Sequence, residues 1–512
     1  MTRSDAISRR SFVQGAALAG AGAAAMGAAG MSAAKARAAE AEGAEMSWDA
    51  EADVVVCGLG GAGAAAAIEA DAAGASVLVI EKATRGGGCT YRCGGLIYMG
   101  GGTALQKELG VEDTPEAMLA YVTASAGPSA DAELVKVYCD ASVGLYDWCV
   151  EQGMEFGGGL DAERHLVTAE AGLSLTYSGN ERAEEYAATI PPAPRGHTPT
   201  TFAAGIFEPL EARVESFATV MYGTAAQELV TDVAGAVVGV RAVDADGKDV
   251  LVRANKGVVL STGAFTYNDA MLSDNAAAAL ACGSKTGYEN DLGDGITMGR
   301  KVGAATRSMS LVNYSEFMYL YGDLACGVML DYNGFRFLSE DWYGAWIGRK
   351  VIQHTPDACW IIVDDDVLAA VKETPYGAYL SPVFSCDTLD ELLRSTGLPF
   401  EHAKESVERY NALCESGEDT DWHKDPVYLK PVAKAPFHAL VTTPVMCSFH
   451  TLGGLKIDAK AQVIDLDGNP IPNLYAAGRT SCGIFGEYPG SGSSVADSLT
   501  FGRIAGQNAA QH

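Results

Sequence analysis

The stretch that decides the fold is residues 53–63, which read DVVVCGLGGAG. Val54–Cys57 form a short apolar run that predicts a buried strand, and the alanine-rich residues 64–73 predict a helix directly behind the glycines. A second apolar run, Ser76–Ile80, is followed by Glu81, 18 residues beyond Gly63. A strand, a glycine-rich turn, a helix and a second strand ending in an acid are typical of a Rossmann-like unit that binds a dinucleotide.

Each glycine of this turn has its own expected role. Gly58 permits the tight turn, Gly60 lets the pyrophosphate approach the backbone, and Gly63 lets the helix pack closely on the strand. The N–H groups at the helix start face the phosphates, and the carboxylate of Glu81 can accept hydrogen bonds from the ribose hydroxyls. The predicted cofactor contacts here are Gly58, Gly60, Gly61, Ala62, Gly63, Glu81 and the adjacent Lys82.

Two further segments favour FAD over a nicotinamide cofactor. Residues 86–95 read GGGCTYRCGG, a second glycine-rich loop of the kind that in flavoproteins runs along the pyrophosphate towards the isoalloxazine ring. Near the C-terminus a predicted strand, 473–479, ends in glycine, and the predicted helix 495–509 begins where its N-terminus can hold the electron-rich pyrimidine end of a reduced flavin. The predicted contacts here are Gly87, Gly88, Cys89, Thr90, Gly94, Gly95, Gly478, Arg479, Ser493, Ser494 and Val495.

From Ala52 to the C-terminus the chain resembles the fumarate reductase flavoprotein family, whose relatives include 3-ketosteroid dehydrogenases. The resemblance rests on the two glycine loops and on GVVLSTG at 257–263, GDG at 293–295, GFRF at 334–337 with Glu340, and HTLGG at 450–454. It implies an α/β fold: a Rossmann-like, glutathione-reductase-type FAD-binding domain with an inserted α+β capping domain. We expect the FAD-binding domain at 47–305 and 436–512 and the cap at 306–435. The resemblance adds Thr262, Gly263 and Asp294 to the cofactor contacts.

This family activates its substrates in two ways, and the motifs distinguish them. Its dicarboxylate enzymes clamp the substrate with arginines, but residues 339–344, SEDWYG, and residues 487–492, EYPGSG, lack the arginines expected there. The second stretch resembles the Tyr-Pro-Gly-x-Gly run of ketosteroid dehydrogenases. By that resemblance, the Tyr488 O–H and the Gly492 N–H would hold the carbonyl oxygen of the substrate as an oxyanion hole.

Tyr343 is the candidate for the second proton transfer. It lies within one residue of the position of the missing arginine in the cap. A tyrosine needs activation by its neighbours to act as a base, because its ordinary pKa is near 10. The alternative is core packing with Trp342 and Trp346. The rival candidates in the same segment are Tyr314, Tyr319 and Tyr321.

Two basic segments resemble substrate-binding parts of fumarate reductases. His450 stands where those enzymes place a histidine that faces the substrate, which would suit a polar or acidic substituent, and the alternative is a structural, hydrogen-bonded histidine. The segment Arg195–His197 resembles a basic patch of the same enzymes, with solvation at the surface as its alternative.

Composition excludes several classes of function. The chain has 36 Lys and Arg residues against 65 Asp and Glu residues, a formal charge of -29, which argues against nucleic acid and anionic membranes as partners. Its 12 cysteines are scattered and include no C-x-x-C pair. We therefore predict no metal site and no c-type haem, and we expect mostly buried thiols.

Residues 1–38 have the layout of a signal peptide. Arg3, Arg9 and Arg10 are followed by an Ala/Gly-rich run and by Ala36-Arg37-Ala38. The stretch 8–13, SRRSFV, contains the twin-arginine pair that marks export of folded proteins. We predict export by the twin-arginine route and a mature chain without a stable membrane span; an uncleaved membrane anchor is the alternative.

Together these features predict an exported, FAD-dependent oxidoreductase that acts on a carbon–carbon bond next to a carbonyl group. The preferred reaction is reduction of an unsaturated ketone such as a 3-oxosteroid, with electrons from a separate quinol- or cytochrome-type carrier. One alternative is a reductase of unsaturated acids such as fumarate, urocanate or a cinnamate. The other is a non-enzymatic flavin electron carrier.

Overall fold

The computed structural model describes residues 47–161, 172–316, 323–354, 359–374, 377–442, 447–482 and 484–511. Within these ranges the largest sheet has eight strands. Six follow one another across it in the order Gln462–Ile464, Pro470–Ala476, Asp249–Leu260, Ala50–Cys57, Val77–Ile80 and Thr219–Met221. Strand Val237–Val243 pairs antiparallel with Asp249–Leu260 and with the eighth strand, Ala225–Thr231.

The core of this sheet is parallel and fully buried. Ala50–Cys57 runs parallel to both of its neighbours, and the side chains of Val54–Cys57 are inaccessible to solvent. A strand buried on both faces has the continuous apolar character seen in the sequence. The α/β fold class and the predicted strand, glycine turn, helix and second strand are therefore confirmed.

Two helices, Gly61–Ala72 and Ser493–Ala510, pack against each other and against strands of this sheet. They approach closely because glycines of the second helix face backbone of the first. A Cβ atom at Gly502 would lie 2.4 Å from the Ala62 carbonyl oxygen, and one at Gly506 would lie 2.1 Å from that of Ala66. This contact joins the helix that follows the glycine-rich turn 58–63 to the C-terminal segment that is predicted to bind the same cofactor.

Further helices and a small sheet complete this part of the chain. The small sheet contains Ile97–Tyr98, Gly196–His197, Leu173–Thr176 and Gly159–Asp161. The helices are Gly88–Tyr91, Ala104–Glu108, Pro115–Ser125, Ala132–Glu151, Glu184–Ala187, Phe202–Glu215, Asp269–Asn275 and Asp294–Lys301.

The inserted segment forms its own antiparallel sheet of Val328–Leu330, Cys359–Asp364, Phe437–Thr442 and Phe384–Cys386. Helices cover both faces: Gly344–His354 and Asp365–Lys372 on one, Leu389–Ser395 and Phe400–Ser416 on the other. The sequence ended this segment at residue 435, yet Phe437–Thr442 pairs with both Cys359–Asp364 and Phe384–Cys386. We therefore move the proposed boundary of the cap to the residues after Thr442, because an apolar strand gives no sign of which sheet it joins.

Two smaller sheets join the parts. Val312–Glu316 pairs antiparallel with Cys447–Thr451, which also pairs with Ser284–Lys285. Gly454–Lys456 lies between Thr306–Arg307 and Ser481–Cys482. Among the helices of the described residues, none has the length and apolar character needed to cross a bilayer. The predicted signal, residues 1–38, lies outside the described residues.

Candidate active site

A cavity of about 360 Å³ opens at the carboxyl end of the parallel strands. Gly58, Glu81, Ser261 and Ala477, each the first residue after a strand of the central sheet, all lie in its wall. Ligands of open α/β sheets bind at this edge. The predicted site residues in the wall are Gly58, Gly60, Gly61, Ala62, Glu81, Lys82, Gly88, Cys89, Thr90, Gly94, Thr262, Gly263, Asp294, Tyr343, His450, Gly478, Arg479, Tyr488, Gly492, Ser494 and Val495.

Four predicted cofactor contacts are not part of this wall: Gly63, Gly87, Gly95 and Ser493. Their contacts lie within the protein. A Cβ at Gly63 would be 1.9 Å from the Gly58 carbonyl oxygen, and one at Gly95 would be 2.7 Å from Phe202. Gly87 donates its N–H to the Leu59 carbonyl at 2.7 Å, and the Ser493 hydroxyl donates to the Gly490 carbonyl at 2.7 Å. These residues shape the loops that surround the cavity.

Among the glycines of the turn 58–63, Gly60 is the one at which the protein itself leaves space for a side chain. At Gly58, φ is +100° and a Cβ would lie 2.5 Å from the Ser261 carbonyl oxygen. At Gly60, φ is -92°, and the nearest atom to a Cβ would be the Gly87 carbonyl oxygen, 3.8 Å away. Space for a side chain therefore exists at Gly60, on the cavity wall and directly before a helix. This cradle fits the pyrophosphate of the predicted FAD.

The first prediction uses this difference. Gly60→Val is expected to leave the chain folded but to lower its FAD content at least roughly tenfold, which corresponds to about 1.4 kcal/mol of binding free energy. FAD per protein is read from the visible absorbance of the purified protein, and folding from far-UV circular dichroism. The matched control is Gly144→Val, since a Cβ at exposed Gly144 meets no atom within 4 Å. A Gly60→Val protein with full FAD content would contradict the assignment of Gly60 to the pyrophosphate.

Glu81 is held at the edge of the cavity by backbone. One carboxylate oxygen accepts from the Leu59 N–H at 2.6 Å and the other from the Ala83 N–H at 2.8 Å. Burial raises the pKa of Glu81, although these two hydrogen bonds act in the opposite direction. Each oxygen keeps a lone pair for a hydroxyl donor, which fits the predicted ribose contact. Lys82 forms an ion pair with Asp294 at 3.1 Å beside it.

Asp291 is a wall residue that the sequence analysis missed. Its carboxylate accepts a hydrogen bond from the Cys89 thiol at 2.8 Å, and a Cβ at Gly263 would lie 2.3 Å from its Oδ1. Burial, followed by the charge of Asp291, raises the pKa of Cys89, so this thiol stays protonated and unreactive. Thr262 accepts from the Gly295 N–H at 2.8 Å and fixes the neighbouring loop.

The start of helix Ser493–Ala510 faces the cavity together with Arg479 and Tyr488. The Arg479 guanidinium donates to the Ser494 hydroxyl at 3.0 Å. The phenol oxygen of Tyr488 accepts from the Ser494 N–H at 2.8 Å, so its own proton is free for another acceptor. Burial raises the pKa of Tyr488, although Arg479 and Ser494 act in the opposite direction. Tyr488 is therefore a neutral hydroxyl donor.

Gly492 follows Tyr488 by four residues and lies in the same cavity wall, where its N–H is a second donor. Its φ is +93°, and a Cβ would lie 2.8 Å from the Tyr98 backbone nitrogen. Its carbonyl oxygen accepts from the Tyr98 N–H at 3.2 Å. Within the described ranges its N–H has no hydrogen-bond acceptor. The structure thus brings both predicted oxyanion donors to one cavity.

Tyr343 lies in the same wall, directly before helix Gly344–His354, and its hydroxyl is 3.1 Å from the Ser491 hydroxyl. Burial and the neighbouring Tyr488 raise the pKa of Tyr343 well above its usual value. Sequence reasoning missed Ser491 as its partner. The rival Tyr314 packs near Phe449, with ring centroids 6.5 Å apart, and does not line the cavity. The rivals Tyr319 and Tyr321 lie outside the described residues.

His450 also faces the cavity, on the strand that pairs with Asn313. Its Nε2 is buried and has no partner among the described residues, so the structure does not show the structural hydrogen bond offered as its alternative role. Burial and the charge of Arg479 lower the pKa of His450 well below its usual value. Its ring lies edge-on to Tyr488 at 5.2 Å. A neutral imidazole is therefore available to a ligand.

Arg195 and His197 are buried and lie outside the cavity wall, so solvation at the surface is wrong for both. Arg195 makes two hydrogen bonds to Asp113, at 2.9 and 2.7 Å. His197 is 2.9 Å from the Thr103 hydroxyl, and burial lowers its pKa to about 4. Both residues support the fold beneath the site.

Comparisons with known proteins agree with this geometry. The family model described as "FAD binding domain" matches residues 53–495. The chain is 27% identical over 473 residues to a fumarate reductase (cytochrome) of Shewanella frigidimarina, covering 90% of this chain and 77% of that protein. It is 30% identical over 407 residues to the NADH:acrylate oxidoreductase of Vibrio harveyi, covering 74% of this chain but only 37% of that longer protein.

Among solved structures, the chain is similar to the 3-ketosteroid-Δ4-(5α)-dehydrogenase of Rhodococcus jostii RHA1 in complex with 4-androstene-3,17-dione. The two share 35% identity and superpose with a TM-score of 0.86, over 91% of this chain and 98% of that one.

Proposed function

This chain belongs to the FAD-binding domain family of FAD-dependent oxidoreductases that act on CH–CH groups, and from this premise we propose that it reduces the carbon–carbon double bond of an unsaturated ketone. The observation that carries the proposal is the pair of donors in the cavity wall. The Tyr488 hydroxyl accepts from Ser494 and keeps its proton for a ligand, and the Gly492 N–H has no acceptor in the described part of the chain. Two neutral donors in the wall of one cavity suit one ketone oxygen.

FAD, when bound, supplies the redox chemistry, and the glycine loops, Glu81 and Arg479 would hold it. The protein's own residues act on the substrate. Tyr488 and Gly492 stabilise the negative charge that develops on the carbonyl oxygen, and each such donor contributes roughly 3 to 4 kcal/mol of transition-state stabilisation. The neutral imidazole of His450 adds a third polar contact without introducing charge.

Tyr343 and Ser491 form the route for the second proton. Their hydroxyls are 3.1 Å apart and both lie in the cavity wall. Because burial raises the pKa of Tyr343, this hydroxyl holds its proton, and it would give that proton to the double-bond carbon beside the carbonyl group, while the other double-bond carbon takes the hydride. In the reverse reaction, a dehydrogenation, the same group would act as the base, and the electron carrier would set the direction.

Charge in the cavity also fits a neutral substrate. Lys82 is paired with Asp294, and Arg92 is paired with Glu289 at 2.7 Å. A 3-oxosteroid or another multi-ring ketone carries no charge, which is in keeping with these paired side chains. Electrons would come from a separate quinol- or cytochrome-type carrier, and residues 1–38 would direct export by the twin-arginine route.

A reductase of unsaturated acids is the second candidate, and one observation favours it. Among the described residues, Arg479 forms no ion pair with a carboxylate within 4.0 Å, and its one hydrogen bond to a side chain is to Ser494. Burial is the main cause of the lowered pKa of His450, and the charge of Arg479 lowers it further. A cation and an imidazole facing one cavity suit a substrate carboxylate.

The second prediction separates these candidates. In an anaerobic assay with a reduced viologen dye, the holoenzyme is expected to turn over a 3-oxo-Δ4 steroid, with kcat/KM at least roughly 100-fold above that for fumarate, urocanate or acrylate, a difference of about 2.7 kcal/mol. The measurement is loss of dye absorbance. Turnover of an acid but not of the ketone would support the second candidate, and turnover of none would support a flavin electron carrier.

A further inference from the structure

The loop 178–181, far from the cavity residues in sequence, is bonded to the segment that carries the oxyanion donors. Gly179 forms an antiparallel bridge with Gly490. The Ser491 N–H donates to the Ser178 carbonyl at 2.8 Å, and the Ser178 hydroxyl donates to the Ser491 carbonyl at 3.1 Å. A Cβ at Gly179 would lie 2.3 Å from the Pro489 carbonyl oxygen, so the two backbones are in direct contact.

Tyr121 strengthens the contact between loop 178–181 and the segment that contains Pro489. Its hydroxyl donates to the Pro489 carbonyl at 2.9 Å and accepts from the Asn180 N–H at 2.9 Å. The side chain is 1% exposed, and burial raises its pKa, so the hydroxyl stays protonated and both hydrogen bonds persist. One phenol oxygen therefore joins the backbone of Asn180 to the segment that leads to Gly492.

The side chain of Asn180 reaches the other half of the site. Its Oδ1 accepts from the Tyr343 N–H at 2.7 Å, immediately before helix Gly344–His354. Asn180 is 1% exposed, and its Nδ2 has no partner among the described residues. Burying Nδ2 without a partner costs free energy. The Asn180 side chain therefore owes its place here to the hydrogen bond of its Oδ1 with the Tyr343 N–H.

We propose that Asn180 is a positioning residue that sets where Tyr343 stands relative to Ser491 and Tyr488. The inference rests on the proposed function, because it assigns the proton step to Tyr343. Tyr343 belongs to the inserted segment, whereas Ser491 and Tyr488 come from the C-terminal one. Asn180 contacts the first through its side chain and the second through Tyr121.

The third prediction is a double-mutant cycle on the holoenzyme, using any unsaturated substrate that the wild type reduces. Asn180→Ala is expected to lower kcat roughly 10- to 100-fold, as small misplacements of reacting groups do, while KM changes less than about threefold, because ketone binding by Tyr488 and Gly492 remains. In the Tyr343→Phe background, Asn180→Ala should change kcat less than about twofold, since its effect acts through Tyr343. Independent, additive losses would overturn the proposal.

A control and a second measurement keep the outcome clear. Asn411→Ala removes an amide that bonds both backbone groups of Val432, at 3.0 and 2.8 Å, away from the cavity, and its kcat should equal that of the wild type. Hydrogen exchange of the FAD-loaded protein needs no substrate. Asn180→Ala should speed exchange in the peptides that contain Tyr343 and in those that contain residues 488–492. Unchanged exchange in either set of peptides would overturn the proposal. Failure of ketone turnover in the wild type would instead count against the proposed function.

Discussion

Replacing Tyr488 by phenylalanine is expected to lower kcat for an unsaturated ketone by about 10²- to 10³-fold, the effect of removing one donor from an oxyanion hole. An oxyanion needs a hydrogen-bond donor, and the donor at this position is the O–H of Tyr488, whose oxygen accepts from the Ser494 N–H. Phenylalanine has no such donor. Gly492 remains as a donor, so activity should fall without vanishing. The measurement is steady-state turnover with a reduced dye, with the protein saturated with FAD.

The substitution has a second, structural effect that the experiment must separate. It leaves the part-buried Ser494 N–H without its acceptor, which costs about 0.5 to 1.5 kcal/mol of folding free energy, the net contribution of a typical hydrogen bond. Turnover should therefore be compared well below the thermal midpoint of each variant. The control is Tyr475→Phe, another buried tyrosine, whose hydroxyl donates to the Asn508 carbonyl at 3.3 Å, outside the cavity wall. Full ketone turnover by Tyr488→Phe would contradict the oxyanion role.

The sequence predicted those parts of the site that are local in the chain. Gly58, Gly60 and Gly63 stand within six residues of one another, and the order of strand, turn and helix was enough to predict a role for each. Glu81 follows the next strand, so the order of strand, turn, helix and strand was sufficient to place it. Tyr488 and Gly492 were predicted by resemblance, and both lie in the wall of the same cavity.

The partners of these residues could not be predicted, because they are distant in sequence and have ordinary side chains. Cys89 meets Asp291, 202 residues away, and Asn180 meets Tyr343, 163 residues away. No spacing rule connects such pairs. Ser491 lies inside the motif at 487–492, yet its role depends on its contact with Tyr343 of the inserted segment. We move the proposed boundary of the cap for a similar reason, since the sequence of Phe437–Thr442 is that of an apolar strand and would suit either sheet.

Replacing Glu340 by glutamine is expected to lower the free energy of unfolding by about 3 to 5 kcal/mol, the cost of breaking a buried ion pair on one side. Glu340 is inaccessible to solvent and accepts from Arg336 at 3.0 and 2.8 Å and from Lys424 at 3.1 Å. Asp419 accepts from Arg336 at 2.7 Å. These four residues form a buried ion cluster with two charges of each sign.

Neutralising Glu340 leaves two buried cations facing one carboxylate. Burial opposes the charge of Glu340, but Arg336 and Lys424 hold its pKa below the usual value. Its contribution to stability is therefore complete above about pH 4.3, the ordinary value for glutamate, and is lost as the pH falls through the lower pKa of the folded state. The destabilisation by Glu340→Gln should be full at neutral pH and should shrink in acid.

Urea denaturation of the FAD-loaded protein at pH 7 and at acidic pH measures this effect, with the midpoints compared at a shared slope. The control is Glu405→Gln on helix Phe400–Ser416 of the same segment. Glu405 is exposed, so its replacement should change the unfolding free energy by less than about 0.5 kcal/mol. A loss below about 1 kcal/mol for Glu340→Gln, the range of exposed ion pairs, would mean that water or relaxation of Arg336 compensates for the missing charge. In that case the cluster would not be what stabilises the contact of Glu340 with strand Val328–Leu330, where the Met329 N–H donates to its carboxylate at 2.9 Å.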